Sequence, residues 1–220
     1  DFEVIIVNDG SIDNSLNKIK PLFDSRFKII NQDNKGVSYS RNLGVNNANG
    51  KYIALLDADD IWLKNHLTEL KNLIETFPNA GLYCNNYQIY YTKDIVRPAN
   101  FKFDFKKDCL IVDDFFKASV TNCVAWTSTV GFAKEKFDAV GGFNSAFDGA
   151  EDLDLWIKMA LKYDVAFEEE LYKKLKSDID FNNLNFKQKL LLSCPKFILK
   201  LAKQFHGFLV KNGLYFTANK

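Results

Sequence analysis

Residues 52–60 read YIALLDADD, an apolar run that stops on three carboxylates, Asp57, Asp59 and Asp60, with only Ala58 between them. A short continuous apolar run ending at a turn is the mark of a strand buried on both faces. The same pattern opens the chain, where Val4–Val7 runs into Asn8-Asp9-Gly10-Ser11. A third short strand reads FKIIN at 27–31. Helical spacing follows each strand: Ser11–Phe23 with Ile12, Leu16, Ile19 and Phe23 on one side, then 36–50 closed by Gly50, then Leu63–Phe77. Three strand–helix units in about 75 residues predict a parallel sheet with crossover helices.

Further along, 80–91 predicts a strand or hairpin arm, 125–133 a strand, and 134–143 a short helix stopped by Gly141-Gly142. Residues 151–163 predict a helix with Leu153, Trp156, Ile157, Ala160 and Leu161 on one face. Residues 164–170 predict a last strand, and 92–120 has no clear pattern. The reading divides the chain into a body, 1–180, and a tail, 181–220.

Bulk composition narrows the classes. The chain has 220 residues, 47% of them hydrophobic, and a net charge of +1, which gives no reason to expect a nucleic-acid partner. Charge is unevenly spread: the tail from Phe181 carries seven Lys and no Asp or Glu, so the body is net acidic. Cys84, Cys109, Cys123 and Cys194 form no CxxC pair, and with two His a structural zinc site is not indicated. Reduced thiols in a cytoplasmic setting are the default. No signal peptide and no apolar stretch of about 18 residues is present. Abundant Lys, Asn, Ile and Phe with scarce Pro fit an AT-rich bacterial genome.

In open α/β sheets, ligands bind at the carboxyl ends of the parallel strands. Asp9, Asp57 and Asp59 all sit at such ends. Crowded carboxylates repel unless a cation or donor neutralises them, and their oxygens suit a hard divalent ion shared with substrate phosphates. The same acids would also serve as caps of the following helix.

Four stretches decide between these readings: NDGSIDNS (8–15), NKGVSYSRNLGV (34–45), LLDADD (55–60) and FDGAEDLDLW (147–156). In this order they resemble a family 2 glycosyltransferase. That resemblance implies a Rossmann-like α/β fold of the glycosyltransferase A type, a mixed, mostly parallel sheet with helices on both faces. It implies a nucleotide-diphospho-sugar donor, UDP-linked by preference, with Mn2+ or Mg2+ as cofactor. The acceptor would be a cell-surface glycan or a lipid-linked glycan, and transfer would proceed with inversion.

Residue roles follow from the same resemblance. Asp9 would accept a hydrogen bond from the nucleobase; Asn8 stands where the family usually has an acid. Arg41 would contact base or phosphates, with Asn42 and Gly44 packing its helix closely. Asp57 would reach the ribose or a metal-bound water, and Asp59 would ligate the metal. Asp60 is read as a cap for the next helix. Asp152 is the candidate general base, with Glu151 the alternative; Asp154 is ascribed to the helix dipole and Trp156 to the core. Gly149 would leave room for the acceptor, and 140–143 (VGGF) would approach donor sugar and acceptor.

Two departures from the family stand out. Its usual opening strand and helix precede nothing here, since Asp1 already falls at the start of the second family strand, so activity of this chain alone is not expected. Its late His is missing from 172–186, where Lys173, Lys174 and Lys176 are either phosphate-side candidates or a solvated charge run. In the tail, Ile198, Leu201, Ala202, Phe205, Phe208 and Leu209 recur at helical spacing opposite lysines. A basic amphipathic helix within 187–211 would either lie on an anionic membrane, at the inner face of the cytoplasmic membrane, or dock on the body.

Competing classes fare less well. A nucleotidyltransferase would need a Gly-rich basic phosphate loop near the N-terminus, and none is visible; an aspartyl phosphatase would need a Thr after the second Asp, and DADDIW has none there. A truncated remnant or a sugar-binding protein is the non-catalytic alternative.

Overall fold

Ile5, Ile6 and Val7 are at most 1% exposed, as a strand buried on both faces requires. They lie in β1 (Val4–Asp9) of a computed structural model that describes residues 1–90, 96–102, 108–147, 149–169 and 214–219. The order continues with α1 (Ser15–Ile19), β2 (Phe27–Gln32), α2 (Val37–Asn46), β3 (Tyr52–Asp57), α3 (His66–Thr76), β4 (Leu82–Asn85) and β5 (Gln88–Tyr90). Then come β6 (Val96–Pro98), β7 (Cys109–Ile111), α4 (Phe115–Ala118), β8 (Val130–Ala133), α5 (Lys134–Val140), α6 (Glu151–Lys162), β9 (Val165–Glu168) and β10 (Leu214–Asn219).

Eight strands form one sheet in the order β2-β1-β10-β3-β8-β4-β9-β7, and β5 and β6 pair separately. Pairing directions make β1, β2, β3, β4 and β9 run one way and β10, β8 and β7 the other. The sheet is therefore mixed, with five of its eight strands running one way; of its adjacent pairs, β1–β2 and β4–β9 are parallel and the other five antiparallel. Because side chains alternate across a strand, one apolar run feeds two cores. Ile5, Val7, Ile53 and Leu55 face a cluster with Val45 of α2, Phe137 of α5 and Trp156 of α6. Ile6, Ala54 and Leu56 face the opposite cluster with Ile19 of α1 and Leu70 and Leu73 of α3. Helices thus cover both faces.

Several boundaries differ from the sequence reading, each for a local reason. The first helix starts at Ser15, not Ser11, because Gly10 takes φ +78° and the Ser11 N–H donates to Asn8 Oδ1 at 3.1 Å, closing a turn. It ends in a 3-10 turn at Pro21. The helix expected over 36–50 stops at Asn46, where the Asn47 side chain donates to the Leu43 carbonyl and occupies a terminal acceptor. The strand expected over 125–133 is a strand only from Val130, because both the N–H and hydroxyl of Thr129 donate to the Trp126 carbonyl and coil 127–129 into a 3-10 turn. The patternless stretch 92–120 contains β6, β7 and α4.

The largest departure concerns the centre of the sheet. The sequence reading gives the tail, 181–220, no strand. Leu214–Asn219 occupies the place between β1 and β3, antiparallel to both, with Asn8 opposite Leu214 and Asp57 opposite Tyr215. The helix read at 196–211 and the lysines at 173, 174 and 176 lie outside the described residues.

Candidate active site

Asp57 ends β3, and its carboxylate meets Arg41 from α2. Arg41 Nη2 donates to Asp57 Oδ1 and Oδ2 at 3.0 and 3.1 Å, while Nη1 donates to Glu151 Oε1 at 2.7 Å. The guanidinium side chain is 5% exposed and lies 5.3 Å from the Phe143 ring centroid. A buried cation paired with two carboxylates is held, not offered to solvent. Arg41 of α2 therefore ties together two other sequence-predicted site residues, Asp57 of β3 and Glu151 of α6.

Asp59 and Asp152 complete the acidic cluster. Burial pushes the Asp57 carboxyl up; Arg41 pulls it the other way, and the neighbouring charges of Asp59 and Asp152 add to the upward push. Asp152 Oδ2 accepts the Thr127 hydroxyl at 2.8 Å. Asp152 is partly exposed, whereas Glu151 beside it is buried against Arg41. The α6 N-terminus carries Glu151, Asp152 and Asp154, where a helix dipole favours acids, and Asp154 pairs with Lys158 at 2.6 Å one turn on. Trp156 is 1% exposed in the core, as read from the helical face.

Asp9 is placed at the end of β1 but turned to the protein's own backbone. Its Oδ1 accepts Gln32 Nε2 at 2.6 Å and the Lys35 N–H at 2.8 Å, and its Oδ2 accepts the Gly36 N–H at 2.9 Å. It is 2% exposed and fixes the loop that enters α2. Asp60 does not cap α3, which begins at His66 after Asn65; the Asp60 N–H closes a turn onto the Asp57 carbonyl instead.

Glycines shape the far wall. Asn42 donates to the Phe143 carbonyl at 2.8 Å and accepts the Phe143 N–H at 3.0 Å, clamping 142–143 onto α2. A Cβ on Gly142 would come within 2.9 Å of Asn42 Oδ1 and of the Phe137 ring, so the close approach needs glycine. Gly149 has φ +105° and Ala150 φ +56°, so the chain turns through left-handed backbone just before Glu151.

Sequence reasoning missed Thr127, Ser128 and Gln32. Ser128 Oγ accepts the Asp57 N–H at 2.9 Å, and its carbonyl accepts Trp62 Nε1 at 2.5 Å, pinning the 3-10 turn to the end of β3. The hydroxyl run TST ahead of an apolar strand was the available signal. Among the described residues no group of three or more His, Cys, Asp or Glu is arranged to hold a metal, and no helix is long and apolar enough to cross a membrane.

Comparison with known proteins agrees with the geometry. Residues 1–141 match the sequence profile of Glycosyl transferase family 2. A 96-residue stretch is 35% identical to the Escherichia coli UDP-Glc:alpha-D-GlcNAc-diphosphoundecaprenol beta-1,3-glucosyltransferase WfgD, covering 43% of this chain and 38% of that one. Chondroitin synthase of Pasteurella multocida is 30% identical over 167 residues, 73% of this chain and 16% of its own. The chain thus spans well under half the length of these two relatives. The crystal structure of S. aureus TarS residues 1–349 superposes with a TM-score of 0.60 at 16% identity, covering 92% of this chain and 63% of that one. At that identity the likeness concerns the fold alone.

Proposed function

The chain belongs to glycosyl transferase family 2, and from that premise we propose that its site moves a sugar from a nucleoside-diphosphate donor, UDP-linked by preference, to a hydroxyl of a lipid-linked or cell-surface glycan, with inversion. The observation that carries the reading is the gathering of Asp57, Asp59 and Asp152 around the carboxyl end of β3, with Asp152 oriented by Thr127.

Inverting transfer needs one carboxylate that receives the acceptor proton as the hydroxyl attacks the anomeric carbon. The new C–O bond forms on one face of the sugar as the bond to the phosphate breaks on the other. Its electron pair leaves with the nucleoside diphosphate. Of the two adjacent acids, Glu151 is committed to Arg41. Asp152 keeps a partly exposed carboxylate, and the Thr127 hydroxyl fixes its orientation, so Asp152 is the base.

A divalent ion suits the remaining acids. Both Asp57 oxygens accept from Arg41, whereas Asp59 lies at the rim, partly exposed. Magnesium and manganese sites in such enzymes take one or two carboxylates and complete their shell with donor phosphates and water. That pattern fits an ion held by Asp59 with Asp57 alongside. When bound, the ion would offset charge developing on the departing diphosphate. Arg41 and Asp9 act as positioning residues: Arg41 spaces the carboxylates, and Asp9 shapes the 32–36 loop at the donor's base end. The diphosphoundecaprenol acceptor named for one relative and the chondroitin named for the other support a lipid-linked or polymeric acceptor.

The test is Asp152→Asn in the complete protein, followed by donor binding and sugar transfer. Donor binding is expected to persist while transfer falls by about 100-fold or more, the usual size of a lost general base. Transfer at the parental rate would remove Asp152 from the reaction.

A further inference from the structure

Trp126 is 46% exposed, and its ring centroid lies 5.6 Å from that of Tyr87 at an interplanar angle of 32°. The other two tryptophans, Trp62 and Trp156, are 6% and 1% exposed, so Trp126 is the one indole open to solvent. An exposed indole on a rigid support, next in sequence to the residue that holds the candidate base, is not explained by the core. The first of the following contacts ties its segment to Asp152, and the others hold the segment and the partner ring in place. The next residue, Thr127, donates to the Asp152 carboxylate at 2.8 Å. The Trp126 carbonyl is pinned by the N–H and hydroxyl of Thr129 at 2.8 and 2.9 Å. Tyr87 is held in turn by its hydroxyl, which donates to the Cys123 carbonyl at 2.9 Å.

We propose that Trp126, backed by Tyr87, is the platform on which the acceptor's pyranose ring lies, with its attacking hydroxyl delivered to Asp152. This rests on the transferase reading above and adds the side of the acceptor it leaves open. One face of a pyranose is a patch of C–H groups. That patch is apolar and slightly positive, and so matches the negative face of an indole. A large aromatic ring with one free face gives contact area at low entropic cost, while the hydroxyl rim of the sugar stays available to polar groups. Such a platform favours a sugar acceptor over a protein hydroxyl, because an isolated Ser or Thr has no such face.

The test uses the complete protein with simple probes. Methyl β-D-glucoside and methyl N-acetyl-β-D-glucosaminide are titrated while acrylamide quenching of tryptophan fluorescence is followed, since Trp126 dominates the quenchable signal. In parallel, donor hydrolysis is measured against transfer to the glycosides for the parental protein, Trp126→Ala and Trp126→Phe. The proposal expects saturable protection from quenching by at least one glycoside. It also expects the transfer-to-hydrolysis ratio to fall about fivefold or more in Trp126→Ala through a raised acceptor KM, and Trp126→Phe to retain most of it. No protection by either glycoside, or an unchanged ratio in Trp126→Ala, with donor still hydrolysed, overturns the platform and leaves the transferase reading standing. Absence of any donor turnover in the parental protein overturns both.

Discussion

Arg41 joins carboxylates from two different elements, Asp57 and Glu151, in surroundings that leave its side chain 5% exposed. Removing one partner of such a network strands the other charges in a dry place, which costs about 3–5 kcal/mol. Arg41→Ala is therefore expected to lower stability by that order in a urea melt. Arg41→Lys should recover little of it, because an ammonium cannot bridge two carboxylates with a planar fork; a melt within 1 kcal/mol of parental for either, roughly the worth of an exposed pair, would contradict the buried network. A second residue gives a pH signature. Burial lowers the pKa of His66 from 6.5 to about 3, and its ring stacks on Trp62 at 4.5 Å. The unfolded chain then binds a proton that the folded chain refuses. His66 costs no stability above about pH 6.5. It removes about 1.4 kcal/mol per unit as pH falls from there towards about 3. Urea melts between pH 4 and 7 should show this slope reduced in His66→Phe; an identical slope would assign the acid sensitivity elsewhere. The motifs single out Asp57, Asp59, Asp152 and Glu151, and the fold brings these acids together at the end of β3. The engagement of Arg41 and Asp9 by the protein itself was not legible, because it depends on distances between residues up to 110 positions apart.

At the scale of elements, the entry into α6 stores strain where the candidate base sits. Ala150 holds φ +56° and ψ +23° as the N-terminal flank of that helix, a conformation that costs an L residue about 1–2 kcal/mol. Ala150→Gly relieves that cost and gives back part of it in unfolded-chain entropy. The expected gain is about 0.5–1 kcal/mol, or about 1–4 °C in Tm for a chain of this size. Ala150→Val should move Tm down. If both variants melt with the parental protein, residue 150 is not strained. Element existence was largely readable: β1, β2, β3, α2, α3, α5, α6 and β9 fall where the apolar patterns put them. Their ends were less so. Element starts moved because a side chain or a glycine had already spent the local hydrogen bonds, as Asn8 does at Ser11 ahead of α1 and Thr129 does at Trp126 ahead of β8. Such turns carry no periodicity to read.

For the whole molecule, the central question is how the two aspartate-bearing strand ends are held in relation. β1 and β3 are not neighbours; β10 runs between them, with Val7 and Asp57 both opposite Tyr215. Nothing in the sequence announces that pairing, because it joins opposite ends of the chain and depends on register, not on composition. Its consequence is that ligand binding at the rim of β1 and β3 should be linked to cooperative melting of the sheet as a whole. A ligand present at 100 times its Kd adds about 2.7 kcal/mol to stability. For a chain of this length that corresponds to a rise of about 5–10 °C. Thermal melts with manganese and each nucleoside diphosphate in turn should therefore rise most with UDP, and only when the metal is present. Asp59→Asn should lose the metal-dependent part of the rise while keeping its own unliganded Tm near parental, since Asp59 is partly exposed and stands at the rim. A rise that is the same for all nucleotides, or that survives Asp59→Asn in full, would mean that the carboxylates at the end of β3 do not form the diphosphate site.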